Sequence, residues 1–197
     1  MRLIAITGGI GSGKSVVSRL VNVMGYEVYD CDSRARLLMT EDSMVRQQLV
    51  EAFGKDTYLD DGSLNRAHLS AIAFSDPSVL TRLNAIVHPA TATDMISWAD
   101  EQADAGATAA FVETALLRTA GLDRVVDEVW HVTAPDQVRI DRVMARSGLT
   151  ADQVRERMAS QRDEEAPLDG EQVLVNDNVT ALLPQVIRLL GVCDSRQ

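Results

Sequence analysis

Cysteine is nearly absent. Cys31 and Cys193 are the two in 197 residues and form no CxxC pattern, which excludes a disulfide framework and a cysteine-built zinc site and predicts a reducing, cytoplasmic setting. Positive charge is also short, with 19 Lys and Arg against 29 Asp and Glu and a formal net charge of −10. An acidic chain of this kind repels a phosphate backbone, so nucleic acid is not an expected partner. No apolar run approaches membrane-spanning length, and the N-terminal stretch Leu3–Ile6 reaches glycines too soon for a signal peptide. A soluble, unprocessed chain with no membrane partner is expected. Apart from an alanine-rich stretch at 103–110 there is no low-complexity tract, and no repeat.

What is present is ordinary for a folded protein: 46% hydrophobic and 24% charged residues, enough to bury a core. The length suits one α/β core with inserted pieces. Leu3–Ile6 reads as a buried parallel strand. After it, Val16, Val17, Leu20, Val21 and Met24 recur at helical spacing before Gly25. Tyr26–Tyr29 reads as a second strand that delivers Asp30 and Asp32 to the carboxyl edge of the sheet, where open α/β sheets bind ligands.

Residues 34–106 carry helical patterns and no strand, including Ser43–Phe53, Asn65–Phe74 and a helix from Asp76 with Pro77 in its first position. Thr108–Val112 and Glu128–Thr133 read as strands, and Pro135 opens a helix to about Arg146. Gly148 breaks it. Thr150 with Gln153 forms a capping box for a helix reaching about Gln161, and two helices joined by a hinge suggest a lid. Val173–Val175 is a last strand and Ala181–Leu190 a closing helix.

The strongest signal is Gly8-Gly9-Ile10-Gly11-Ser12-Gly13-Lys14-Ser15, which satisfies G-x-x-x-x-G-K-[ST] between a strand and a helix. Gly8, Gly9, Gly11 and Gly13 let the backbone turn its amides, with that of Ser12, around a phosphate, and the helix N-terminus adds partial positive charge. Lys14 would reach the β- and γ-phosphates and Ser15 would ligate Mg²⁺, so ATP with Mg²⁺ is the expected cofactor set. Neither D-x-x-G nor N-K-x-D follows, which disfavours a switch GTPase, and the chain is small for a motor. A kinase is favoured. A carboxylate at the end of the second strand is then placed to take a proton from an acceptor hydroxyl. Asp32 is the first candidate and Asp30 the second, with a helix N-cap as the competing role for Asp or Ser33.

Three stretches carry a family resemblance: the loop from Thr7 to Ser15, Asp30-Cys31-Asp32-Ser33-Arg34-Ala35-Arg36, and Leu83-Asn84-Ala85-Ile86-Val87-His88-Pro89. With them the chain resembles the dephospho-CoA kinase family over nearly its whole length. The resemblance implies a three-layer α/β P-loop core with a five-stranded parallel sheet (1–33, 107–138 and 163–197), a helical acceptor domain (34–106) and a lid (139–162). It implies transfer of the ATP γ-phosphoryl to the ribose 3′-hydroxyl of dephospho-CoA, in a monomer or weak homo-oligomer.

By the same resemblance Arg142 and Arg146 are lid arginines, Gln161 is a lid-end glutamine, and Asn176 lies near the nucleotide base. Arg142 would bring a fork to developing charge and Val16 would follow the loop at the nucleotide site. Arg36, Arg66 and His88 would serve the acceptor. Read from spacing alone, Arg142 and Arg146 at i and i+4 equally suit a solvated face. His88 before Pro89 equally suits a helix start. His68 and His131 read as structural. Glu113 is open between accepting a metal-bound water and capping a turn. The chain departs from the family pattern in Val16 where Thr is common, in the stretch Glu113–Arg118, in the short segment Asp163–Gly170, and in Asn176-Asp177-Asn178-Val179, which lacks a usual glycine. A nucleoside monophosphate kinase and an ATP-driven switch are the alternative readings.

Overall fold

In the computed structural model the described residues are 1–76, 78–161 and 166–191. Cys193 and Pro77, the expected first residue of a helix, lie outside them. The chain divides into two compact units, Met1–Tyr29 with Ala99–Gln197, and Asp30–Trp98.

The first unit is built on a five-stranded parallel sheet. Its strands are β1 (Arg2–Thr7), β2 (Val28–Asp30), β3 (Ala109–Glu113), β4 (Glu128–Thr133) and β5 (Gln172–Val175), in the order β2-β3-β1-β4-β5. β1 is therefore central. It pairs with β3 in the register Ile4 to Phe111 and with β4 in the register Ile4 to Glu128. A strand enclosed on both sides and both faces needs a continuous apolar run, which is why Leu3–Ile6 reads as one and is buried throughout. Helix α1 (Lys14–Val23) follows β1 after a glycine loop. On one face of the sheet Val17 and Val21 of this helix pack with Ile4, Ile6, Phe111, Trp130, Leu174 and Val186. The Phe111 ring meets Tyr26 and Trp130 edge-on at centroid distances of 5.5 and 5.1 Å, the arrangement that aromatic quadrupoles favour.

In the second unit, α2 (Cys31–Glu41), α3 (Ser43–Phe53) and α4 (Arg66–Ser75) precede α5 (Ser78–Asp104). Val45, Leu49, Phe53, Leu69 and Val79 form its core, with Leu83, Ile86 and Ala90 against it. α3 spans the residues read from its periodicity, because Asp42 caps it by accepting from the amides of Met44 and Val45 and Gly54 ends it. Of the two readings of His88-Pro89, the helix start is not realised, since Pro89 lies inside the 27-residue α5. Proline removes one backbone donor, and packing of Leu83, Ile86 and Ala90 into the unit's core outweighs that loss.

Returning to the first unit, α6 (Asp136–Ser147) and α7 (Ala151–Ala159) form a hairpin. Gly148 takes the left-handed conformation at the turn (φ 67°), and Thr150 and Gln153 make both halves of the expected capping box. α8 (Leu182–Leu190) closes the described chain.

Truncating Phe111 removes the ring at the centre of the sheet core. Phe111→Ala is expected to lower stability by about 3–5 kcal/mol, read as a shift of the urea unfolding midpoint. A loss under about 1 kcal/mol would show that this ring is not a main support of the core.

Candidate active site

The loop between β1 and α1 leaves the centre of the sheet and turns sharply at glycines. Gly13 is the N-terminal boundary of α1 in a left-handed conformation (φ 98°, ψ 31°), and no side chain caps the helix there. The amides of Gly11, Gly13 and Ser15 donate to no described group. Uncapped first-turn amides with the helix dipole behind them make an anion site. The Ser12 hydroxyl is buried in the same loop without a hydrogen-bond partner among the described residues, a group that a bound ligand can satisfy.

Turning amides toward a phosphate turns carbonyls away from it, and each of these carbonyls is met by a side chain. Lys14 Nζ donates to the carbonyl of Gly8 at 2.6 Å and to that of Gly9 at 3.3 Å. Arg139 Nε donates to the Ile10 carbonyl at 2.9 Å. Arg142 donates to the carbonyls of Gly11 (3.3 Å) and Ser12 (3.2 Å), and Asn176 Nδ2 to that of Ser12 at 2.8 Å. The second Arg142 nitrogen donates to the carbonyl and side chain of Asn176, at 3.0 and 3.2 Å, and to the side chain of Asn178. Asn176, just past β5, is buried and its amide donates to the Thr133 carbonyl. Asn178 itself adopts φ 70°, a left-handed conformation that Asn tolerates better than most residues.

The sequence-predicted residues thus fall into two groups. Gly8, Gly9, Gly11, Ser12, Gly13, Lys14, Arg142 and Asn176 are drawn together in the first unit, and Ser15 and Val16 lie exposed in the first turn of α1. Arg146 is exposed on α6 with no side-chain partner among the described residues. Glu113 ends β3 half-buried, beside Ile6 in register.

The remaining residues belong to the second unit. Asp30 is the N-cap of α2: its carboxylate accepts from the amides of Asp32 and Ser33 at 3.0 and 3.1 Å and from the Ser33 hydroxyl at 2.7 Å. Asp32, the second residue of α2, is exposed and its carboxylate engages no described group. The side chains of Arg36 and Arg66 are exposed and likewise unengaged among the described residues. His88 is half-buried, and loss of hydration holds its imidazole below the usual histidine value. Arg34 forms a two-pronged ion pair with Asp94 at 2.9 and 2.7 Å.

Arg139 escaped the sequence reading. Its signal is visible in hindsight as an arginine inside the buried stripe Arg139, Ile140, Val143 of α6, where a charge stays only with partners. Arg118 escaped as well. It pairs with Glu171 at 2.7 Å, and Glu171 lies 3.3 Å from the buried His131 imidazole.

A phosphate-binding loop after the central strand of a parallel sheet, with a lysine and arginines gathered on it, defines a P-loop nucleotide-binding protein. The dephospho-CoA kinase family profile matches residues 2–181, and the chain belongs to that family. It is 40% identical to a dephospho-CoA kinase of Porphyromonas gingivalis over 193 residues, covering 96% of this chain and 93% of that one. With the Corynebacterium efficiens dephospho-CoA kinase it shares 38% over 193 residues, 97% and 96% of the two chains. Among solved structures, a Thermus thermophilus protein superimposes with a TM-score of 0.72 at 32% identity, over 97% of this chain and 95% of that one. The Campylobacter jejuni dephospho-CoA kinase has the same fold, with a TM-score of 0.71 at 20% identity, over 97% and 96%.

A Cβ on Gly13 would run into the Asn176 side-chain amide, in a backbone conformation that other residues rarely adopt. Gly13→Ala is expected to weaken Mg-ADP binding by at least tenfold, measured by titration calorimetry. Binding within twofold of wild type would mean that the Gly13–Asn176 approach does not shape the loop.

Proposed function

We propose that the chain transfers the γ-phosphoryl group of ATP to the 3′-hydroxyl of the ribose of dephospho-CoA, giving coenzyme A and ADP. The observation that carries this reading is the loop of residues 8–15, whose amides at Gly11, Gly13 and Ser15 are left for a ligand while its carbonyls are held by the chain's own side chains. Family membership supplies the acceptor.

In the proposed reaction Asp32 takes the proton of the acceptor hydroxyl as its oxygen forms the new bond to the γ-phosphorus. The bond from phosphorus to the β–γ bridging oxygen breaks, and ADP leaves with that electron pair. Asp30 is less suited to the role, because its carboxylate already accepts three hydrogen bonds as a helix cap. Lys14 and the loop amides stabilise charge on the β- and γ-phosphate oxygens. Arg142 adds positive potential from its place against the loop. A direct fork onto phosphate requires it to exchange its bonds to Asn176 and Asn178, whereas the Arg146 side chain has no partner among the described residues.

The exposed Ser15 hydroxyl, with no described partner, fits a hard divalent cation such as Mg²⁺, with Glu113 as a candidate to hold one of its waters. When bound, that ion supplies charge neutralisation between the β- and γ-phosphates. Arg36 and Arg66 are proposed to meet the acceptor's pyrophosphate or ribose, and His88 to line the acceptor unit. Asn176 is proposed to lie near the nucleotide base, and the exposed Val16 to follow the loop at the nucleotide site.

The test is ADP release with Mg-ATP and dephospho-CoA, AMP, CMP, adenosine or no acceptor, with the product mass checked. Stimulation by dephospho-CoA alone and addition of one phosphate are expected. Stimulation by a monophosphate instead would overturn the acceptor assignment. Asp32→Asn is expected to leave ATP binding intact and lower kcat by about 10²–10⁴-fold, and Lys14→Ala to impair use of ATP. Wild-type turnover in Asp32→Asn would remove Asp32 as the base.

A further inference from the structure

Ile10 is held in three ways by the α6–α7 hairpin. Its carbonyl accepts from Arg139 Nε of α6 at 2.9 Å. Its amide donates to Oε1 of Gln161, two residues past α7, at 2.9 Å. Its side chain packs against the core of the hairpin, formed by Ile140, Val143, Val154 and Met158. The neighbouring residue is also pressed from the hairpin: a Cβ at Gly11 would lie 2.7 Å from the Arg139 carbonyl oxygen.

We infer that this clasp on Ile10 sets the shape of the phosphate loop, and that Arg139 and Gln161 are positioning residues for the phosphates of ATP. Ile10 stands between Gly9 and Gly11, the residues with least intrinsic preference for one backbone conformation. Without an outside hold, the peptides on either side could rotate at small cost, and the amides of Gly11 and Gly13 would lose their common direction. Fixing both the carbonyl and the amide of the one residue with a side chain in this stretch removes that freedom at its centre. Burial of the Arg139 guanidinium strengthens the hold, because a charge-assisted bond gains in surroundings of low dielectric and its loss leaves a partly buried carbonyl unpaired. Arg139 also lies 3.5 Å from the exposed Asp136 on the same helix. Both Arg139 and Gln161 bond to the backbone of Ile10 itself. They act through the loop, so the hairpin reports its position to the phosphate site.

The inference rests on the reading of residues 8–15 as a nucleotide loop, and Mg-ADP binding to the wild-type protein tests that reading first: no binding would sink the loop assignment itself. Given binding, titration calorimetry with Mg-ADP compares Arg139→Met, which keeps the bulk and loses the donor, with Arg139→Gln, which restores one N–H. Arg139→Met is expected to weaken binding roughly tenfold, about 1.4 kcal/mol, and Arg139→Gln to return it to within about threefold of wild type. Gln161→Leu, at a partly exposed position outside the helix, is expected to lose a similar factor and keeps the test open if Arg139→Met does not fold. Because both act on Ile10, the double variant should lose less than the product of the single losses. In steady-state assays the KM for ATP should rise while the KM for the acceptor stays. Wild-type affinity in Arg139→Met and Gln161→Leu, equal weakness of Arg139→Met and Arg139→Gln, or losses that simply multiply would each overturn the clasp.

Discussion

A loop that points its amides at a ligand must point its carbonyls at the protein, and the first unit is arranged around meeting that demand. The carbonyls of residues 8 to 12 are met by Lys14, Arg139, Arg142 and Asn176, which come from α1, α6 and the turn after β5. Elements more than a hundred residues apart in the chain therefore converge on five peptides. Buried backbone groups left unmet would each cost free energy on the scale of a lost hydrogen bond. The same cations that satisfy the carbonyls raise the local potential, which is how a chain of net charge −10 can hold a polyphosphate.

The sheet explains why these elements arrive where they do. With β1 in the middle of the order β2-β3-β1-β4-β5, the loop after it leaves between β3 and β4, and the segments that follow β4 and β5 emerge at the same carboxyl edge. β4 runs into α6, which brings Arg139 and Arg142. β5 runs into Asn176 and Asn178. At the turn after β5, Asn178 takes the left-handed conformation and also accepts a bond from Arg142.

The second unit has its own logic. The head of α2 divides two neighbouring aspartates by geometry: Asp30 is used up in capping, and Asp32 keeps its carboxylate for solvent or substrate. Spacing made both into candidates. Only the direction of each side chain separates them, since a cap and a base draw on the same residue type.

Strands, most helices and the phosphate loop were legible in the residues themselves because they depend on local rules: period, caps, glycine and the strand–loop–helix order. The capping box at Thr150 and Gln153 and the bounds of α3 are cases where near neighbours alone decide. His88-Pro89 stayed ambiguous for the complementary reason, as a proline in sequence looks like a boundary until packing of α5 carries the helix through it. Arg139 could not be read as a site residue, because its meaning comes from a carbonyl 129 positions away. Arg142 was found through the family resemblance, yet its place among the carbonyls of Gly11, Ser12 and Asn176 was not. By itself the sequence determined that a phosphate loop would exist and which fold would carry it, since those follow from short-range backbone chemistry. The tertiary structure alone decided which side chains brace the loop, because that depends on long-range closure of the sheet and on the burial that makes an unmet carbonyl costly.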